Sequence, residues 1–198
     1  MMKSAQNSQD TRKKLTICLL ESPKEAEKVS VLLNEYHQDV GADLSLDGFE
    51  YHPEEILDRY TYPNGLFFLA KSYDLILGIS GILFLDDKVC EIKRLYVRSQ
   101  WRRMGIALCL IQSATSMAQA LGYHKALFIT LKRFKAAVAL YDTLGFGQID
   151  NDPIKKENYH DLVSFKLDID TEEKNQLWRP KKYVAWDIQY CENIHRIS

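Results

Sequence analysis

No apolar run in this 198-residue chain approaches the ~20 residues that a membrane-spanning helix needs. The opening stretch, "MMKSAQNSQDTRKK", has no apolar centre of the kind a secretory signal carries, and reads as a disordered lead-in over residues 1–14. These two absences predict a cytoplasmic protein with no membrane partner. Cysteine is scarce and scattered: Cys18, Cys90, Cys109 and Cys191 form no CxxC pair, and the five histidines do not cluster with them. That argues against a zinc site or a disulfide framework, so no metal is expected and the cysteines read mainly as core residues. A GxGxxG fingerprint is also missing, because Gly105 stands alone where three glycines would be needed. The chain is short enough for one domain, and its 46% hydrophobic content is ordinary for a globular one.

The most informative absences concern charge. Between Asn34 and Asp58 there is no lysine or arginine but there are eight acidic residues: Glu35, Asp39, Asp43, Asp47, Glu50, Glu54, Glu55 and Asp58. Between Ile92 and Tyr141 there is no acidic residue but there are nine lysines or arginines. A charge block is commonly a solvated face, yet this basic block spans several elements and can surround an anionic ligand.

What is present alternates strands with helices. Leu15–Leu20 reads as a strand. A helix follows, with Ser22 as N-cap, Pro23 at the first helical position and Glu25 completing a capping box. Ala26, Val29, Leu32, Leu33, Tyr36 and Val40 give it one apolar face, and Gly41 ends it. A short helix begins at Pro53. The stretches "LFFLAK", "LILGISGILFL" and "VCEIKRLYV" read as a meander, with turns at Ser72–Asp74 and Asp86–Lys88. Gly78 and Gly81 mark a bulge or a close approach in its middle strand. A helix from about Gly105 to Leu121, the strand "KALFITL", the helix "KAAVALYDTLGF", a short strand "FGQI" and a last strand at Asp161–Ile169 complete the pattern. The predicted fold is α/β (α+β): a single mixed, mostly antiparallel sheet of six to seven strands with helices on both faces. The domain is expected over residues 15–169. Residues 170–198 form an aromatic-rich appendage in which "YVAWDIQY" fits strand and helix periods alike. It is expected to pack on the domain or to serve as a homodimer contact.

The stretch "SQWRRMGIALCL" places Arg102 and Arg103 just before Gly105, where a strand has ended and a helix begins. A helix start leaves backbone N–H groups without partners and carries the positive end of the dipole, which suits a phosphate. Gly105 permits close approach, small Ala107 does not obstruct, and the alternative is a solvated basic turn.

The ordered succession of "CEIKRLYV", "RSQWRRMGIA", "ALFITL" and "AAVALYDTLGF" resembles the GNAT acetyltransferase superfamily, whose loop pattern Arg/Gln-x-x-Gly-x-Gly/Ala is matched by Arg102, Gly105 and Ala107. The resemblance covers about Leu15–Ile169 and implies an acetyl-CoA-dependent N-acetyltransferase. It places the cofactor's pyrophosphate on Arg102, Arg103, Met104, Gly105, Ile106 and Ala107. It places the pantetheine arm beside Leu95, Tyr96 and Val97, with Ala137 also near the cofactor. It implies Tyr141 as general acid, since a phenol with a pKa near ~10 keeps its proton at pH 7; simple packing is the other reading. Glu91 is implied as general base, directly or through a water, against an ion pair with Lys93 or Arg94. Two positions depart from the family: Arg103 stands where glycine is common, and Phe134 where asparagine is common, leaving Thr130 as a substitute polar contact. The acidic block, lying where the family shapes its acceptor pocket, suggests a cationic amine such as a polyamine or a lysine side chain. Other readings are a CoA-binding module without catalysis, and an anion or nucleic-acid binder; the latter lacks any nucleic-acid motif.

Overall fold

The computed structural model describes residues 13–40, 52–150, 161–169 and 186–196. Eight strands build one sheet: β1 (Lys13–Leu19), β2 (Gly65–Ser72), β3 (Leu75–Phe84), β4 (Val89–Val97), β5 (Lys125–Leu131), β6 (Gly147–Ile149), β7 (Leu162–Asp168) and β8 (Trp186–Tyr190). Their spatial order is β6-β7-β5-β4-β3-β2-β1-β8. The pairs β4–β5 and β1–β8 are parallel and the rest antiparallel. Helices α1 (Pro23–Val40), α2 (Pro53–Arg59), α3 (Ile106–Ala120) and α4 (Lys135–Thr143) connect them. The mixed, mostly antiparallel sheet was expected; the eighth strand was not.

The helix signals work as the sequence implies. The Ser22 hydroxyl accepts the Glu25 N–H at 3.3 Å, while the Glu25 carboxylate reaches back to the Glu21 N–H at 3.2 Å and pairs with Lys71. Ala26, Val29, Leu32 and Leu33 of α1 and Ile56 of α2 pack on Phe67, Leu69 and Ile79, covering one face of the sheet. Ile106, Leu110, Ala114 and Met117 of α3 pack on Phe68, Leu77 and Ile92 on the other face. Each fully buried side chain of this size contributes roughly 1.5–3 kcal/mol. The glycines of β3 serve close approach: a Cβ on Gly81 would stand 2.5 Å from the Tyr60 ring, and one on Gly78 would stand 2.9 Å from the Tyr96 carbonyl oxygen.

The C-terminal segment takes one of its two open periods and corrects one expectation. First, Trp186–Tyr190 is a strand of the domain's own sheet, paired with β1 from Lys13↔Trp186 to Ile17↔Tyr190. Parallel pairing satisfies backbone groups that the outer edge of β1 would otherwise expose, and the apolar Trp186 side chain is buried, 2% exposed. Second, not all cysteines are isolated core residues. The parallel register carries the ends of β1 and β8 together, and Cys18 and Cys191 form a disulfide with Cα atoms 5.0 Å apart. Cys90 and Cys109 are buried and free. Of the predicted lead-in, Lys13 and Lys14 belong to β1, and the rest lies outside the described residues.

Candidate active site

The parallel ladder between β4 and β5 stops early. It runs through Val89↔Lys125, Cys90↔Ala126 and Glu91↔Leu127, yet β4 continues to Val97 and β5 to Leu131. Beyond Glu91 the strands part and a cleft of about 440 Å³ opens between them. The cause lies on the other edge of β4. Gly81 pairs with Lys93 and Ile79 with Tyr96, so Arg94 and Leu95 together face one position on β3. Such a bulge bends a strand and increases its twist. Arg94 takes the left-handed conformation, φ 58°, that the extra residue requires.

Leu95, Tyr96 and Val97 line one wall of the cleft, with Arg102 at its end. Thr130, Phe134, Ala137 and Tyr141 line the facing wall. The structure thus brings together the predicted pantetheine residues, Thr130, Phe134, Ala137 and the tyrosine, while residues 103–107 of the loop stand outside this lining. Glu91 lies outside this lining. It is 5% exposed and its carboxylate is held by the Lys93 ammonium at 3.1 Å, the ion pair weighed as its other role. Lys93 itself lines the cleft.

Tyr141 projects from α4 into an aromatic nest, its ring 4.6 Å from Phe128 and 5.3 Å from Phe165. Burial pushes its phenol well above the ordinary value, and nearby Tyr36 adds to that effect. The phenol is therefore a neutral donor throughout the physiological range.

At the loop, Arg103 has φ 60° and Gly105 φ 83°. The glycine common at the former place in the family has a conformational reason, and Arg103 meets the same demand at a cost of ~1 kcal/mol. Gly105 is the N-cap of α3 and no side chain caps that end. The N–H groups of Ile106 and Ala107 begin the helix there, with Arg103 exposed beside them. Arg102 behaves otherwise. Its Nε donates to the Val97 carbonyl at 2.8 Å, its Nη2 reaches Asp39 at 2.6 Å, and its guanidinium lies over the Tyr96 ring.

Sequence reasoning missed Tyr36 and Asp39, which bring α1 to the cleft. Tyr36 was read as part of the apolar face and Asp39 as part of the acidic block; their i, i+3 spacing sets them on one side of the helix. Tyr36 stacks on Tyr96 at 5.3 Å. The Tyr96 hydroxyl donates to Asp39 at 3.0 Å, and burial, followed by that carboxylate, pushes its pKa up to about 12.

The acidic block is divided. Glu35 takes two hydrogen bonds from Arg98, at 2.7 and 2.8 Å, and Asp39 takes Arg102. Glu55 and Asp58 line a separate cavity of about 460 Å³ beside Arg59 and Asn64. Asp43, Asp47 and Glu50 lie outside the described residues. Among the cleft-lining side chains one carboxylate, Asp39, stands against Lys93, Arg94, Arg102, Arg133 and Lys135.

The model of the acetyltransferase (GNAT) family matches residues 31–146, which contain the parted strands, the loop and Tyr141. The chain belongs to that family. It is an acyltransferase with relatives named N-acetyltransferases. One, an uncharacterized N-acetyltransferase of Schizosaccharomyces pombe, is 28% identical over 134 residues, 67% of this chain and 82% of that protein. N-acetyltransferase 8 of Homo sapiens is 34% identical over 98 residues, 46% of this chain and 43% of the human protein, so the match spans less than half of the latter. The PaiA N-acetyltransferase of Thermoplasma acidophilum, solved in complex with coenzyme A, superposes with a TM-score of 0.63 at 14% identity, covering 78% of this chain and 99% of that one. At that identity the likeness is one of fold. Among the described residues of the GNAT chain, no helix is long and apolar enough to cross a membrane, and no cluster of metal-ligating side chains occurs.

Proposed function

We propose that this GNAT protein transfers an acetyl group from acetyl-CoA to a primary amine inside the cleft between β4 and β5. The observation that carries the reading is the parting of these parallel strands beyond Glu91↔Leu127, beside a helix start that no side chain caps. The freed edge of β4 at Leu95–Val97 presents backbone donors and acceptors to an extended pantetheine arm, as an added strand would be held. The pyrophosphate takes the N–H groups of the Met104–Ala107 turn, the dipole of α3 and the exposed Arg103. Arg133 and Lys135, on the opposite wall, meet the remaining phosphate charge. Phe134 offers its ring to the cofactor in place of an amide, and Thr130 supplies the nearest hydroxyl on that wall.

In the chemical step the amine nitrogen attacks the thioester carbon, a C–N bond forms, and the carbonyl oxygen becomes an oxyanion held by a backbone N–H near Leu95–Val97. The C–S bond then breaks and the sulfur leaves as a thiolate. Tyr141 donates a hydrogen bond to that sulfur. Because its phenol is a weaker acid than an ordinary thiol of pKa ~8.5, it stabilises the departing charge and passes on a proton that comes ultimately from the amine. The amine arrives as an ammonium and gives up two protons: before attack Glu91, one ion pair away from the cleft, takes the first through a water or through Lys93, and the second, shed by the nitrogen as the C–N bond forms, is the one that reaches the sulfur.

Calorimetric titration with acetyl-CoA tests the binding half of this reading, and micromolar affinity is expected. Mass detection of N-acetyl products across a panel of mono- and polyamines, amino acids and lysine peptides tests the transfer half. A protein that binds neither acetyl-CoA nor CoA at micromolar concentration would falsify the reading.

A further inference from the structure

Met104 lies between two residues in the left-handed conformation, Arg103 at φ 60° and Gly105 at φ 83°. A peptide unit in that position is locally soft. Flipping the 104–105 peptide reverses the sign of the φ of residue 105, and glycine accepts either sign. One described contact resists the flip: the buried indole of Trp186 donates its N–H to the Met104 carbonyl at 3.1 Å. In a trans peptide the C=O and the following N–H point in opposite directions. With the Met104 oxygen drawn inward, the Gly105 N–H is turned outward.

We infer that Trp186 is a positioning residue for the cofactor's pyrophosphate, fixing the loop peptide so that the Gly105 N–H faces the anion. The inference rests on the cofactor site proposed above. Trp186 is itself held firmly for this task. It sits opposite Lys13 in the β1–β8 ladder, is 2% exposed, and packs 5.8 Å from the Trp101 ring, which lies on the same loop. Beyond it the strand is anchored again, since the Asn193 side chain donates to the Leu19 carbonyl at 3.0 Å and accepts the Leu19 N–H at 3.3 Å. Trp186 also lies beyond residues 31–146, where the family model matches. The C-terminal strand is thus part of the cofactor site's support.

The test compares Trp186→Phe with the unaltered chain, using acetyl-CoA and acetylpantetheine, which lacks the pyrophosphate. A benzene ring is kept while the pyrrole half with its N–H is lost, so CoA affinity should fall about three- to tenfold, the range for one hydrogen bond, and acetylpantetheine controls for the lost packing. The KM for acetylpantetheine and kcat with it should stay unchanged. Equal loss toward both acetyl donors, or no loss toward either, overturns the inference while leaving the cofactor site standing. Failure of the unaltered chain to bind CoA overturns both. If Trp186→Phe does not fold, the unaltered protein carries the test. With isotope-labelled glycine, the Gly105 amide proton should move downfield when CoA or inorganic pyrophosphate is added, and an unmoved Gly105 signal overturns the inference.

Discussion

The Arg102 guanidinium sits 2.6 Å from the Asp39 carboxylate, across a sequence separation of 63 residues. The contact joins the basic block to the acidic one inside the cleft, and Tyr96 shares the same carboxylate oxygen. Asp39 therefore keeps Arg102 folded back and, in the cofactor site proposed above, lowers the positive potential that would meet the phosphates. Asp39→Asn should tighten CoA binding about two- to fivefold at about 0.1 M salt, with most of the gain lost at about 1 M, because the groups are half exposed and screened. Calorimetry at the two salt concentrations measures this. Weaker binding in the variant would show that Asp39 serves chiefly to position Tyr96 or Arg102.

Tyr141→Phe keeps the ring among Phe128, Phe146 and Phe165 and removes only the hydroxyl. If that hydroxyl meets the departing sulfur, kcat should fall about 10²-fold while the affinity for acetyl-CoA stays within about twofold. Steady-state kinetics alongside calorimetry separates the two quantities. An unchanged kcat removes Tyr141 from the reaction and leaves it as a packing residue. Because burial, then Tyr36, raises the phenol's pKa, the kcat profile should show no loss from Tyr141 ionisation below pH ~10.

Arg103→Gly separates conformation from charge. Glycine relieves the left-handed backbone at φ 60° but brings a larger entropy loss on folding, and the two effects are each of order ~1 kcal/mol and opposed. Stability should therefore change little, by less than about 1 kcal/mol in denaturant titration. CoA affinity should fall about threefold and depend less steeply on salt, as expected when one exposed cation is lost from an anion site. A variant of unaltered affinity would mean that Arg103 serves only the turn.

Local signals in the sequence carried much of this architecture. Ser22, Pro23 and Glu25 start α1, Gly122 and Gly145 follow α3 and α4 with positive φ, and Asp86 makes its turn by accepting the Lys88 and Val89 N–H groups. Each is decided by a few neighbouring residues. The features that escaped notice are set by distant ones. "YVAWDIQY" fits two periods, and only the free edge of β1 makes Trp186–Tyr190 a strand. The bulge at Arg94 follows from register against β3, which no stretch of β4 discloses. The uncapped helix start near the cleft was legible because a helix N-terminus is decided by a few neighbouring residues. Tyr36 and Asp39 were not recognised there, because α1 reaches the cleft only once the sheet has formed. For the same reason the charge blocks were visible but their mutual neutralisation through Glu35–Arg98 and Asp39–Arg102 was not.

Alkaline pH should unfold the protein earlier than neutral pH: the buried thiols, with the lower ordinary value, open the window, and the raised phenols of Tyr141 and Tyr96 add to the fall toward pH ~10 and above. Burial pushes Cys90 from an ordinary value of 9.0 up to about 12, and burial pushes Cys109 up to about 11. In the unfolded chain both thiols ionise near the ordinary value, while in the folded chain both keep their protons. The unfolded state then binds fewer protons, so stability is fully present below about pH 8.5 and is lost as pH rises toward the folded values. Each thiol contributes a slope of at most about 1.4 kcal/mol per pH unit in that window. The melting temperature should be flat near neutrality and fall steadily between about pH 9 and about pH 11. Cys109→Ala should shallow the fall by removing one of the two thiols, whatever its effect on stability at pH 7. A melting temperature that holds constant up to pH ~11 would show that these thiols ionise as readily in the folded chain as in the unfolded one, and that the core around α3 and β4 admits water.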